Sequence, residues 1–182
     1  ESVRNFRPQI NDPELKAAIT AFIGQEAMHG REHESWNRHY FEHVPAAYKI
    51  NTRAQARLKR WQKWLPKTTQ LAMTIGAEHI TAVLGDFILR HPEILEGSGA
   101  TQSHPEFVAM LRWHAMEETE HKAVAFDVWK SVMRNTPRAY LERSFGLIFM
   151  LAAYSPVINQ LVVEGLKIEH KRRNKAVDLA PL

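Results

Sequence analysis

Three long stretches of the chain put apolar side chains at every third or fourth position, and each stripe is interrupted by the same kinds of polar residue. The first runs Leu15, Ile19, Phe22, Glu26, His29, His33, Trp36, Tyr40. The second runs Leu71, Ile75, Glu78, Ala82, Gly85, Leu89, and the third Phe107, Leu111, His114, Glu118, His121, Ala125, Val128, Val132. This spacing keeps one face of a helix apolar and matches the seam of a helical bundle. No stretch alternates as a half-buried strand would. The expected fold is all-α, with long helices over about 13–43, 67–91 and 105–133 and a further helix near 137–170.

Punctuation agrees with these limits. Asn11-Asp12-Pro13, Ser103-His104-Pro105 and Thr136-Pro137 each place a capping side chain before a proline suited to the first helical turn. Val44-Pro45 ends the first helix, Pro66 breaks or restarts a helix, and the segment 96–99 reads as a loop. Val3, Phe6 and Ile10 look like the apolar side of a helix tail, so the chain is expected to begin inside an element whose earlier part precedes residue 1.

The last helix contains a run, 145–163, of nineteen residues without a charge. That length borders on a membrane span. Ser155, Pro156, Asn159 and Gln160 in its second half would be costly in lipid, which favours a helix that is buried or sits in an interface, a second copy of the chain being one partner. The basic stretch Arg53, Arg57, Lys59, Arg60, Lys63, with Trp61 and Trp64, leaves peripheral attachment to an anionic membrane open for an otherwise cytoplasmic protein.

Composition narrows the chemistry. A chain of 182 residues with 45% hydrophobic content is expected to form a single domain with a real core. The absence of cysteine excludes disulfides, thiolate zinc sites, iron–sulfur clusters and cysteine nucleophiles, so only oxygen and nitrogen donors remain for a metal. A net charge of +4 without an aromatic-basic recognition module argues against nucleic acid as a partner.

The seam interruptions therefore carry the functional signal. Residues 26–29 read EAMH and residues 114–121 read HAMEETEH, so two separate helices each carry Glu-x-x-His. Burying such groups without compensation costs several kcal/mol, roughly, and a divalent metal compensates them. A buried Glu–His hydrogen-bond network without metal is the competing explanation. Two Glu-x-x-His helices plus single-Glu helices are the pattern of a carboxylate-bridged dinuclear site in a four-helix bundle. On that pattern Glu26 and Glu118 bridge two metals, His29 and His121 each bind one, and Glu78 is a terminal carboxylate. His114, one turn before Glu118, is placed as an extra ligand. The fourth carboxylate is expected from the helix before residue 1, where Glu1 is the only acid in the remnant. His33 is either a further ligand or a hydrogen-bonding neighbour of one, His79 a packing or neighbouring group, and Asp127 an acid placed to orient a ligating histidine. Glu117 and Glu120 are expected on polar faces. Oxygen-rich donors with histidine suit two iron ions, with manganese as the alternative, better than a closed zinc site.

The segments FIGQEAMHGREH, LAMTIGAEHITAVL and WHAMEETEHKAVAFDVW resemble the bacterial family labelled predicted metal-dependent hydrolase, placed in the ferritin-like superfamily. The resemblance covers most of 10–135, and three separated motifs occur in order. The His-x-x-x-Glu-x-x-His pattern is also similar to the di-iron arylamine N-oxygenases, in which the extra histidine is a ligand. These resemblances imply a ferritin-like four-helix bundle, its first helix truncated, with an extra C-terminal helix, and Glu26, His29, Glu78, His114, Glu118 and His121 as ligands. The departure is the first-helix glutamate, normally found upstream in a Phe-Pro-x-Gly-Glu-like segment. The donor set favours dioxygen activation, and the apolar seams and long apolar final helix suggest a small hydrophobic substrate. Hydrolysis, as the family label has it, and a non-catalytic iron-binding bundle are the alternatives, and no residue is singled out as a catalytic acid or base.

Overall fold

A computed structural model describes residues 2–96, 104–121 and 123–178, with side chains through Asn174. Glu1 and residues 97–99 of the loop expected at 96–99 lie outside them, whereas Glu96 ends a short helix. Among the described residues there are helices and no strand. A short 3-10 turn, Arg4–Gln9, is followed by α1 (Pro13–His43), α2 (Pro45–Trp64), α3 (Lys67–Arg90), α4 (Glu93–Glu96), α5 (Pro105–His121), α6 (Val124–Val132) and α7 (Pro137–Asp178). The all-α expectation holds.

The starts follow the local chemistry. Asp12 accepts the Glu14 amide on its side chain at 2.9 Å, and Thr136 accepts the Ala139 amide at 3.2 Å. These bonds satisfy amides that the first turn of a helix leaves without partners. Val44 closes α1 by donating to the Tyr40 carbonyl at 2.8 Å, and Pro45 then opens α2. The basic stretch thus belongs to a helix that begins at Pro45, earlier than its charges suggest.

The chain divides into two compact units. The first comprises the chain through His29 and Pro66–Met150. Its core gathers Val3, Phe6 and Ile10 with Ile19 and Phe22 of α1, Leu71 and Ala72 of α3, Ala125, Val128 and Trp129 of α6, and Ala139 of α7. The N-terminal residues thus pack as expected, on a 3-10 turn.

Helix α3 is the axis of this unit, because its small residues let neighbours approach closely. A β-carbon at Gly85 would lie 2.8 Å from the Ala115 carbonyl oxygen of α5. One at Gly146 of α7 would lie 2.5 Å from the Ala72 carbonyl of α3. The Thr68 and Thr69 hydroxyls add bonds of 2.7 and 2.9 Å to the Glu142 carboxylate of α7.

Two expectations are corrected here. The helix foreseen over 105–133 is two helices, α5 ending at His121 and α6 beginning at Val124. The final helix is not buried: within the first unit Leu141, Phe145 and Ile148 are more than half exposed, as are Ile158 and Val162 in the second. The ends of two seams are also open, at Leu89 and Phe107. By length and composition alone α3 and α7 could each cross a membrane, but α3 is substantially buried and carries Glu78 inside.

The second unit comprises Gly30–Leu65 and the chain from Leu151. The Tyr40 hydroxyl donates to the Leu161 carbonyl at 3.0 Å, and Phe41 meets Tyr48 edge-on at 5.8 Å.

Candidate metal centre

Six side chains named from the sequence converge inside the first unit. They come from α1 (Glu26, His29), α3 (Glu78) and α5 (His114, Glu118, His121), because each stands in the apolar stripe that its helix turns toward the others. Glu78, Glu118, His29 and His121 are buried, Glu26 and His114 partly so.

The donors fall into two groups of three. In one, Glu26, Glu78 and His121 each offer a ligand atom within 4.8 Å of the others. In the second, the Glu118 Oε1 lies 3.7 Å from both His29 Nδ1 and His114 Nε2. The rings of His29 and His114 stand 4.2 Å apart between centroids. His29 Nδ1 is also 4.0 Å from Glu26 Oε1, so it adjoins both groups. Each carboxylate of a Glu-x-x-His motif thus sits close to a histidine of the other helix.

His121 is the most enclosed of the set at 1% exposure, yet neither ring nitrogen makes an aligned hydrogen bond. Its Nδ1 is 2.9 Å from Glu26 Oε1, close enough for an ion pair but off the direction of the ring N–H bond. Glu78 Oε2 is likewise buried without a hydrogen-bond partner. Orphaned buried donors and acceptors of this kind are rare and costly unless another group satisfies them. Three carboxylates and three imidazoles at these separations fit divalent cations bound through oxygen and nitrogen. Phe22 holds the His121 ring edge-on at 5.0 Å, and Trp113 stands 6.3 Å from His29.

The electrostatics reflect charge crowded into a buried space. Burial, reinforced by the charges of Glu26 and Glu118, pushes the Glu78 carboxyl up to about 8. Burial also opposes ionisation of Glu26, but the His121 contact and the neighbouring His29 and His114 outweigh it and hold its pKa below the usual carboxylate range. For His121 burial disfavours the charged ring, and the carboxylates of Glu26, Glu78 and Glu118 override it and raise the pKa. These are the responses expected of buried ionisable groups coupled to one another.

Among the remaining residues, Glu117 and Asp127 depart from expectation. Glu117 is buried rather than on a polar face, its Oε2 has no hydrogen-bond partner, and burial raises its pKa. The signal was present: 114, 117, 118 and 121 follow the i, i+3, i+4, i+7 pattern of a wide buried stripe, of which the narrow seam kept three. Glu120 is exposed, as expected. Asp127 pairs with Lys130 of its own helix at 2.8 Å, not with a ligating histidine. His79 is exposed and lines a separate cavity beside Phe126 and Arg143. His33 belongs to the second unit, where it lines a groove along α1 and α2.

The chain belongs to the family described as predicted metal-dependent hydrolase, whose profile matches residues 1–179. No curated protein and no solved structure matches it. The family description makes metal dependence the expected property of the chain, and the convergent groups are where its residues can meet that expectation.

Proposed function

We propose that the first unit is a dinuclear metal enzyme of the ferritin-like type, using two iron ions, or manganese in their place, to oxidise a small hydrophobic substrate with dioxygen. The observation that carries this reading is the enclosure of His121, its two nitrogens lacking aligned partners, among Glu26, Glu78 and Glu118. Glu26, Glu78 and His121 would hold one ion, and His29, His114 and Glu118 the other. Bound iron would supply the redox chemistry, which side chains of this cysteine-free set do not provide.

The chain's own residues prepare the site. Glu78, held protonated by burial at neutral pH, gives up its proton when a cation takes its place. Glu117, whose pKa burial raises, sets a further buried carboxyl among the same charged groups. Phe22 and Trp113 pack against His121 and His29, limiting water and fixing the rings. A cavity of about 520 Å³ in the same unit, apart from the six donors and lined by Ile75, Phe126 and Leu147 together with His79, Tyr140 and Arg143, has the size for a small organic substrate.

The family description favours a second reading, metal-dependent hydrolysis, in which the same donors hold ions that polarise a substrate carbonyl or ester and activate water. The two readings separate on one experiment. The chelator-stripped chain is loaded anaerobically with ferrous iron and then exposed to oxygen. The oxidative reading expects stoichiometric oxygen uptake with a transient visible absorption, absent when His121 is replaced. Oxygen silence with iron bound, together with ester or amide cleavage by the zinc- or manganese-loaded chain, would sink it in favour of hydrolysis.

A further inference from the structure

A second set of metal-type donors stands on the last turn of α1, within the second unit. His39, Glu42 and His43 occupy positions i, i+3 and i+4, which bring their side chains to one face of the helix. Each can offer one ligand atom within 4.8 Å of the other two. His39 Nδ1 is 3.9 Å from Glu42 Oε2, and these side chains are 68% and 66% exposed. The rings of His39 and His43 are 4.6 Å apart between centroids.

The proton positions favour binding. The His43 Nδ1–H donates to the His39 carbonyl at 2.9 Å, and because a carbonyl only accepts, the proton is fixed on Nδ1. The lone pair of His43 is therefore on Nε2, the usual arrangement of a ligating imidazole. The location adds to it. These residues lie in the C-terminal turn of a 31-residue helix, where carbonyls without intrahelical donors carry partial negative charge and favour a cation. Pro45, lacking an N–H, supplies none to the Phe41 carbonyl.

We propose that His39, Glu42 and His43 form a surface site for one divalent ion of the zinc, nickel or copper class, distinct from the buried centre. Two imidazoles and a carboxylate select these ions over magnesium or calcium, which take mainly oxygen ligands. Three protein donors leave a tetrahedral position to water or an incoming ligand, so the site exchanges its ion with solution.

The test is zinc titration of the whole chelator-stripped chain, read by calorimetry and by competition with a chromophoric chelator. Wild type is compared with the His39→Ala/His43→Ala pair, with Glu42→Gln and with His121→Ala. Wild type should bind one zinc equivalent more than the paired variant, and His121→Ala should retain that equivalent. Glu42→Gln should weaken it by about tenfold or more, since even an outer partner of a ligand contributes that much. All three surface positions are exposed, so circular dichroism should match wild type in these variants. An unchanged zinc stoichiometry in His39→Ala/His43→Ala would overturn the site. A His121→Ala chain that binds no more zinc than the same chain also carrying His39→Ala/His43→Ala would overturn it too, assigning that ion to the buried centre.

Discussion

His121 of α5 places its Nδ1 2.9 Å from the Glu26 Oε1 of α1, and the two side chains meet without a hydrogen bond along the ring N–H direction. The pair shares its space with Glu78, whose carboxylate offers a ligand atom within 4.8 Å of both.

Replacing His121 by Ala removes the most enclosed donor. The expected result is a loss of at least about tenfold in affinity for one of two bound ions, with helix content retained. Metal analysis after dialysis against a graded chelator, alongside circular dichroism, measures both. Full metal retention would remove His121 from the ligand set.

His114 belongs to the other group, with its Nε2 3.7 Å from Glu118 Oε1. His114→Ala leaves Glu26, Glu78 and His121 in place, so chelator competition should take the metal content toward one ion per chain before the second leaves. Loss of both ions in a single step would show that the two groups do not bind separately.

Glu78 makes the metal-free chain sensitive to alkali. Its carboxyl is raised from 4.5 to about 8 in the folded state, so between those values the folded chain holds a proton that the unfolded chain has released. Its contribution is intact below the unfolded pKa and is lost as pH rises through about 8. The melting temperature of chelator-treated protein should therefore fall over that window. Glu78→Gln, which carries no titrating proton, should flatten the decline. A melting temperature that rises across this window in wild type and not in the glutamine variant would contradict the shift.

The glycines of the first unit should respond oppositely to alanine. At Gly146 a β-carbon would meet the Ala72 backbone at 2.5 Å, and the expected cost is about 1–3 kcal/mol. At Gly24 nothing lies within 4 Å, and alanine should stabilise by about 0.5–1 kcal/mol through its better helix propensity. Chemical denaturation of the two variants reads the contrast directly.

Much of this was legible in the chain because helical periodicity is local. The spacing of Leu15, Ile19 and Phe22, and of Leu71, Ile75 and Glu78, specified helices whose polar interruptions face inward. Asp12-Pro13 and Thr136-Pro137 marked starts that the structure repeats. Glu26, His29, Glu78, His114, Glu118 and His121 could be named together because each breaks an apolar stripe, and a buried polar residue needs a reason.

Only the tertiary structure decided how wide each buried face is. Glu117 is buried because α5 is flanked closely enough to cover a second row beside the seam, whereas Phe107 and Leu89, at the seam ends, find too little to cover them. Asp127 had two partners consistent with its sequence position and took Lys130, one turn away, at 2.8 Å. The apolar run of α7 shows the same limit: hydrophobic content drives burial only where another surface is present, and Phe145 and Ile148 remain more than half exposed. The pairing of Glu26 with His121 and of Glu118 with His29 likewise belongs to tertiary structure, since a helix fixes which way a side chain faces and its neighbours fix what it meets.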